Sequence, residues 1–451
     1  MLKYLLFLLF FLQTIGLASA KSFSSDLQKR DEPVFGGQVH ILETGKSNPE
    51  ILLLIHGLGD EAGRVWDDLL PGLALKYHVV VPDLPGFGRS SKGNHLYSPS
   101  AYATFLDWLL KTLPNKPVYL VGHSLGGGIA LVYAARYGTG LKRLVLVDSV
   151  GLLHHLAVSQ NYVRQQFKID LPLFSSNIES SLERVSDLLL EKTSRILSDS
   201  DRLLSSENMR ERFLGEDPSK IAGLALVQSD FSLLLAKVVT PTWVLWGEND
   251  QIASQRTSKI LLWNLPTAEL KILSGVGHTP MKDAHLQFAT ILGQALLQEP
   301  EHRKPISLQS DERVGYCRNE NNRNFEGAYS VLRINNCKNV MIKNVTTQKM
   351  EISDSEVVVE FSSILRKNES PAIQVQRSRL TMTGVDIHAD IGILTDQSRL
   401  DLAGVRFYNS SAAIKGEGNR SSLLLSSSAK YSNGSIMALH LSQSLNPGES
   451  L

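Results

Sequence analysis

Cysteine is nearly missing from this chain: of 451 residues only Cys317 and Cys337 are thiols, and both lie late in the sequence. There is no glycine-rich phosphate loop, no dinucleotide-binding fingerprint and no Cys/His spacing of a zinc site, so no cofactor or metal is expected. The pair His154-His155 has no spaced Cys, Asp or Glu ligands around it and reads as a surface histidine pair. An excess of charge is missing too. The 46 basic and 45 acidic residues leave +1, which offers no electrostatic basis for binding nucleic acid or an anionic membrane. After the N-terminus no segment approaches the about eighteen consecutive apolar residues of a membrane-spanning helix.

What is present begins with a targeting segment. Lys3, an apolar core over residues 5–12 and Ala18-Ser19-Ala20 form the three parts of a secretory signal peptide, residues 1–20. The alternative is an uncleaved anchor, because residues 4–20 carry no charge. The mature chain is therefore expected to be secreted or periplasmic, or membrane-anchored if the segment stays. The length exceeds one ordinary core, so two domains are expected.

Residues 34–298 alternate short apolar runs with helix-period segments, the pattern of an α/β fold in which helices cover a parallel sheet. The strand candidates are residues 51–55, 79–81, 118–121, 144–147, 243–246 and 270–273, continuous apolar runs suited to burial on both faces. Between the fourth and fifth, residues 151–237 carry leucine-rich helical periodicity and read as a helical cap over the end of the sheet. Residues 299–310 hold Pro300 and Pro305 among alternating charges and read as a linker.

Beyond the linker, residues 311–445 are rich in Ser, Asn, Val and Ile, and they repeat. Ser378-Arg379-Leu380-Thr381-Met382-Thr383-Gly384-Val385 returns as Ser398-Arg399-Leu400-Asp401-Leu402-Ala403-Gly404-Val405, and looser copies stand at Lys338, Ser355 and Ser421. Short strands returning about every twenty residues predict a stacked all-β domain, a parallel β-helix, with a β-sandwich as the alternative. Cys317 and Cys337 stand one repeat apart, where stacked residues lie roughly 4.8 Å from each other and could form a disulfide; two unrelated buried thiols are the other reading. Asn344, Asn368, Asn409, Asn419 and Asn433 open N-x-Ser/Thr sequons, a weak sign of glycosylation in so Ser- and Asn-rich a segment. Asp386, Asp390, Asp396 and Asp401 fall at different phases of the repeat, which favours a binding or structural domain over a carbohydrate-cleaving one.

The chemistry lies in the first domain. Gly122-His123-Ser124-Leu125-Gly126 follows the apolar run at residues 117–121, so Ser124 sits on a tight strand-to-helix turn that needs small neighbours. A serine hydroxyl attacks only when a base removes its proton and donors await the oxyanion. His278, in the glycine-flexed loop Gly275-Val276-Gly277-His278, is the preferred base. Asp250, in Gly247-Glu248-Asn249-Asp250, is the preferred carboxylate to orient the imidazole, with Glu248 and Asp148 as rivals.

With these stand Ile55-His56-Gly57-Leu58-Gly59 and Val81-Pro82-Asp83-Leu84-Pro85-Gly86-Phe87-Gly88-Arg89-Ser90. In this order the five motifs resemble those of the α/β-hydrolase superfamily over about residues 34 to 298. The resemblance implies a Ser124–His278–Asp250 triad, backbone amides of Leu58 and Leu125 as the oxyanion hole, residues 151–237 as a cap over the substrate, and Asp83 as a structural loop residue. His56 and His123 are expected to shape the site through hydrogen bonds. A serine at the elbow argues against the branches that use a carboxylate nucleophile. The expected activity is that of an exported serine esterase or lipase acting on small ester or lipid substrates through an acyl-enzyme. Two alternatives stay open: a carbon–carbon bond hydrolase of the meta-cleavage type, and a non-catalytic protein that binds a glycan or cell surface through the β-helix.

Overall fold

The structure is a computed structural model and describes residues 25–59, 61–154, 204–301, 313–366, 370–432 and 434–451. The signal segment, most of the cap, most of the linker, His155, Asn368 and Asn433 lie outside the described residues.

The first domain is built on an eight-stranded sheet of order β1-β2-β4-β3-β5-β6-β7-β8. Its strands are β1 (Asp26–Glu32), β2 (Gly37–Thr44), β3 (Ile51–Ile55), β4 (His78–Asp83), β5 (Val118–His123), β6 (Leu141–Val147), β7 (Thr242–Gly247) and β8 (Ala268–Leu273). Each of the six apolar runs lies in a strand, and from β3 to β8 all neighbours are parallel. Successive side chains of a strand point to opposite faces, so one run feeds two cores. Leu53, Ile55, Leu120, Leu144 and Leu146 enter one cluster. Leu52, Leu54, Val121, Val145 and Val147 enter the other.

The sheet also begins earlier than residue 34. β1 pairs antiparallel with β2 from Asp26 onward. Its sequence, DLQKRDE, buries only Glu32, so the backbone ladder alone marks it as a strand and no hydrophobic period betrays it. Five helices matter below: α1 (Pro99–Lys111), α2 (Leu125–Tyr137), α3 (Pro218–Val227), α4 (Gln255–Asn264) and α5 (His285–Leu297). Within the cap, residues 204–237 are largely helical and include α3, while residues 151–154 are not helical.

The C-terminal domain is all-β: β9 (Val314–Arg318), β10 (Asn324–Asn335), β11 (Val340–Ser353), β12 (Glu356–Leu365), β13 (Ile373–Gln376), β14 (Arg379–His388), β15 (Ile391–Asp396), β16 (Arg399–Tyr408), β17 (Ala412–Gly416), β18 (Ser421–Ser432) and β19 (Ser435–Leu445). Two parallel ladders, β11-β12-β14-β16-β18 and β11-β13-β15-β17, rise side by side around one apolar core. β19 closes the first ladder antiparallel. Register follows the sequence repeat residue for residue, Arg379 opposite Arg399, Leu380 opposite Leu400 and Val385 opposite Val405.

Corners are set by local chemistry. A left-handed residue recurs at the same register position in successive coils, namely Asn344, Phe361, Gly384, Gly404 and Ser427. Buried amides at another corner are satisfied by a ladder of serine hydroxyls: Cys337 N to Ser355, Ser355 N to Ser378, Ser378 N to Ser398 and Ser398 N to Ser421. A buried backbone N–H must find a partner, and here serine supplies it where the sheet pairing turns. Cys317 and Cys337 are disulfide-bonded with Cα atoms 6.4 Å apart. Cys317 is nevertheless opposite Ile334, not Cys337: the register here advances by 17 residues (317 to 334) while the cysteines are 20 apart, so the bridge runs diagonally.

The two domains share a tight seam along α4. Arg256 donates to Thr383 Oγ1 at 2.8 Å, Asp401 Oδ1 at 2.8 Å and the carbonyls of Met382 and Asp401 at 2.8 and 3.0 Å. Lys259 pairs with Glu360, and Trp263 Nε1 donates to Asp386 Oδ1 at 2.9 Å. The repeat glycines form the bed for the helix: a Cβ on Gly384 would stand 2.8 Å from Trp263, and one on Gly404 would stand 2.8 Å from Asn264. Two of the four aspartates singled out in the repeat, Asp386 and Asp401, are thus held by the first domain.

Candidate active site

Ser124 connects β5 to α2 with φ +52° and ψ −116°, a conformation rarely adopted by a residue with a side chain. The turn is crowded enough to demand its glycines. A Cβ on Gly122 would lie 2.2 Å from the Gly126 carbonyl oxygen, and one on Gly126 would lie 2.5 Å from that of Ile55. The backbone of Ser124 is fixed by its N–H to Val147 O and by its carbonyl, which accepts from Gly127 and Gly128.

His278 and Asp250 come to Ser124 from the ends of β8 and β7. Ser124 Oγ lies 3.0 Å from His278 Nε2, and His278 Nδ1 lies 2.8 Å from Asp250 Oδ2. A proton on Nδ1, shared with the carboxylate, leaves Nε2 as the acceptor for the serine O–H. Asp250 Oδ1 accepts from the Ile252 and Ala253 amides at 2.8 and 2.9 Å, so the carboxylate cannot rotate away. The two loops approach because Gly247 has no side chain: its Cβ would meet Gly277 O at 2.1 Å. The Asp250 side chain is wholly buried and that of His278 is 14% exposed.

The rival acids are elsewhere. Glu248 accepts from Ser274 Oγ and Gly275 N and serves the histidine loop. Asp148, at the end of β6, accepts from Gly247 N at 2.8 Å and neighbours Asp250, not His278.

The surrounding histidines are neutral braces. His56 donates from Nδ1 to Gly57 O at 2.6 Å and accepts at Nε2 from Leu84 N at 2.9 Å, tying the two N-terminal motifs together. Burial pushes its pKa down to about 4. His123 donates from Nε2 to His278 O at 2.7 Å, and burial, then the nearby His278, pushes it down to about 3. Asp83 accepts from Gly63 N, Arg89 N and Arg89 Nε, which folds its loop; burial would raise its pKa, and the Arg89 bonds bring it below the ordinary value. Gly57 packs against Ser124, a Cβ there lying 2.9 Å from the serine Cβ, and Leu58 follows at the mouth of the site. Leu125 opens α2, where no preceding turn supplies a carbonyl for its amide. His154 is buried, not on the surface as expected: its N–H reaches Ser426 Oγ and its ring meets that of His440 across the seam. Among the described residues no group of three or more His, Cys, Asp or Glu is arranged for a metal, and no helix is long and apolar enough to cross a membrane.

Sequence reasoning did not single out α4 or Gly247. The close approach of Gly247 to Gly277 has no signal in one sequence beyond the glycine itself. A polar, hydrogen-bonding helix face such as Arg256, Lys259 and Trp263 reads as solvent-exposed until the second domain covers it.

A model of the alpha/beta hydrolase fold matches residues 50–284, just over half the chain, ending before β9. Lipase 3 of Moraxella sp. (strain TA144) is 29% identical over 269 residues, 58% of this chain and 82% of its own length. Lipase 1 of Psychrobacter immobilis is 29% identical over 269 residues, 58% and 81% of the two chains. The 2-hydroxymuconate semialdehyde hydrolase of Pseudomonas sp. (strain CF600) is 27% identical over 274 residues, 58% and 92%.

Proposed function

We propose, starting from the premise that the chain belongs to the α/β-hydrolase fold family and is a hydrolase, that it is an exported serine hydrolase of carboxylic esters, with lipids as a candidate substrate class. The observation that carries this reading is the hydrogen-bonded line Ser124–His278–Asp250 beneath a strained elbow. In the proposed mechanism Ser124 Oγ attacks the acyl carbonyl while His278 Nε2 takes its proton. Asp250 stabilises the resulting imidazolium, and the backbone amides of Leu58 and Leu125 receive the oxyanion. His278 returns the proton to the leaving alcohol, and water then repeats the sequence on the acyl-enzyme to free the acid. Export is supported by the N-terminal signal pattern and by the Cys317–Cys337 disulfide, a bond that persists in oxidising compartments. The C-terminal domain is proposed to brace the enzyme through α4 and to present its outer coils to a polymer or cell surface.

Labelling with a fluorophosphonate tests the nucleophile: wild type should be labelled and Ser124→Ala should not, and equal absence of label in both would remove the enzyme reading. A panel of nitrophenyl esters of rising acyl length then measures the substrate class. The similarity to a semialdehyde hydrolase gives a second reading, carbon–carbon bond cleavage, which a labelled enzyme inert to every ester would favour.

A further inference from the structure

Two buried carboxyl groups meet behind His278, and the relay uses only one. Asp148 follows β6 with a left-handed backbone, φ +44°, and is fully buried. Its Oδ1 accepts the Gly247 N–H, while its Oδ2 is shut off from solvent and has no hydrogen-bond donor. The group beside it is Asp250. Asp250 already has its own donors, two amides on Oδ1 and His278 on Oδ2. A carboxylate oxygen pressed against another carboxylate in a dry pocket finds no partner unless a proton lies between them.

We infer that Asp148 is a positioning residue of this site, a carboxylic acid that donates its O–H to the Asp250 carboxylate and holds that carboxylate toward His278. The inference rests on the reading of Asp250 as the acid of the relay. Protonation is in keeping with the surroundings: burial first, and then the charges of Asp250 and Asp283, push Asp148 up to about 9. The titratable groups around it are Asp250 and Asp283, with His278 reached through Asp250, and among the described residues no cation pairs with it to favour the ionised form. A neutral Asp148 leaves one negative charge behind the imidazole across the neutral pH range. It also adds a charge-assisted hydrogen bond, the strong kind, to a carboxylate whose direction decides the imidazole's tautomer. Above its pKa the pair becomes two like charges, and Asp250 loses its donor.

Infrared difference spectra of the full chain test this directly. Wild type at pH 7 should show a carboxylic-acid C=O stretching band that disappears as the pH is raised through about 9 and is missing in Asp148→Asn. Absence of that band at pH 7, or its persistence in Asp148→Asn, overturns the inference. Activity gives the positioning readout. Asp148→Leu keeps the branched shape but not the polarity, loses the donor and should lower kcat roughly 10- to 100-fold. Asp148→Asn, which restores an N–H donor, should recover most of that loss and remove the alkaline limb of the pH profile. If Asp148→Asn is instead as damaging as Asp250→Asn, Asp148 works as an ionised acid and the inference fails. The infrared band depends only on the two carboxyl groups, so its failure is separable from a failure of Ser124 labelling.

Discussion

Replacing Gly384 by alanine puts the seam between the domains under measurement. Gly384 has φ +60°, and an added Cβ would lie 2.8 Å from Trp263 Cβ and 2.9 Å from its Cγ. Trp263 cannot swing aside, because its Nε1 is bonded to Asp386 and its ring rests on Phe361 at 5.8 Å between centroids. Gly434 supplies the control: its φ is +77°, in the same domain, with nothing within 4 Å of an added Cβ. Both alanines bear the left-handed backbone cost, about 1 to 2 kcal/mol. Only Gly384→Ala adds overpacking against the helix, about 1 to 3 kcal/mol more. Urea unfolding monitored by tryptophan fluorescence should therefore place Gly384→Ala about 2 to 5 kcal/mol below wild type and Gly434→Ala about 1 to 2 kcal/mol below it. Equal losses in the two variants would refute the docking of α4 on the glycine row.

Asp250→Asn should lower kcat by about 10⁴-fold with little change in stability, since Oδ1 still accepts from Ile252 and Ala253 while the amide favours the wrong imidazole tautomer; steady-state kinetics beside a melting curve checks both halves. Removing the bridge with Cys317→Ser and Cys337→Ser, which frees a loop of 20 residues, should cost about 3 kcal/mol in the C-terminal domain, read as a lower urea midpoint with fluorophosphonate labelling intact. Stability should pass through a maximum near pH 6.5. His56 and His123 are neutral when folded and take up protons on unfolding below 6.5, so each removes about 1.4 kcal/mol per pH unit as the pH falls from 6.5 toward 4. Asp148 works in the other direction: its proton is held in the fold up to about 9 and released on unfolding above 3.8, so stability drains by one proton's worth as the pH rises between those values. The three together rise with pH below 6.5 and fall above it, and a stability that climbs from pH 7 to 9 would contradict the assignment of Asp148.

Much of this molecule was legible because its signals are local. The first five apolar runs could be read as strands since each is largely buried on both faces, whereas the sixth, in β8, leaves Ile272 exposed; the phase of Ser378 to Val385 against Ser398 to Val405 reappears as the ladder register. Ser124, His278 and Asp250 could be found because tight turns restrict composition around them. β1 escaped, being a charged edge held by its backbone ladder and by polar side-chain bonds such as Arg30 to Glu43, neither of which leaves a hydrophobic period. The abundance of serine after residue 311 was visible as composition, but its use to satisfy the amides of the next coil depends on three-dimensional stacking. His154 was misjudged because a histidine beside another reads as exposed, whereas residues almost three hundred positions later cover it. The contact of Asp148 with Asp250 joins the ends of two strands about a hundred residues apart, and nothing in either neighbourhood announces it.

Because Arg256 to Asn264 belongs to one domain by sequence and rests in the other by packing, the stretch from 299 to 310 is not where the folded object divides. A chain cut there would leave Trp263, buried now, without its cover of Phe361 and Asp386, and would strip Arg256 of its four acceptor contacts. The same helix starts five residues after Asp250, so the wound would open beside the relay. The hydrolase half is therefore expected to be poorly soluble and poorly active when made alone.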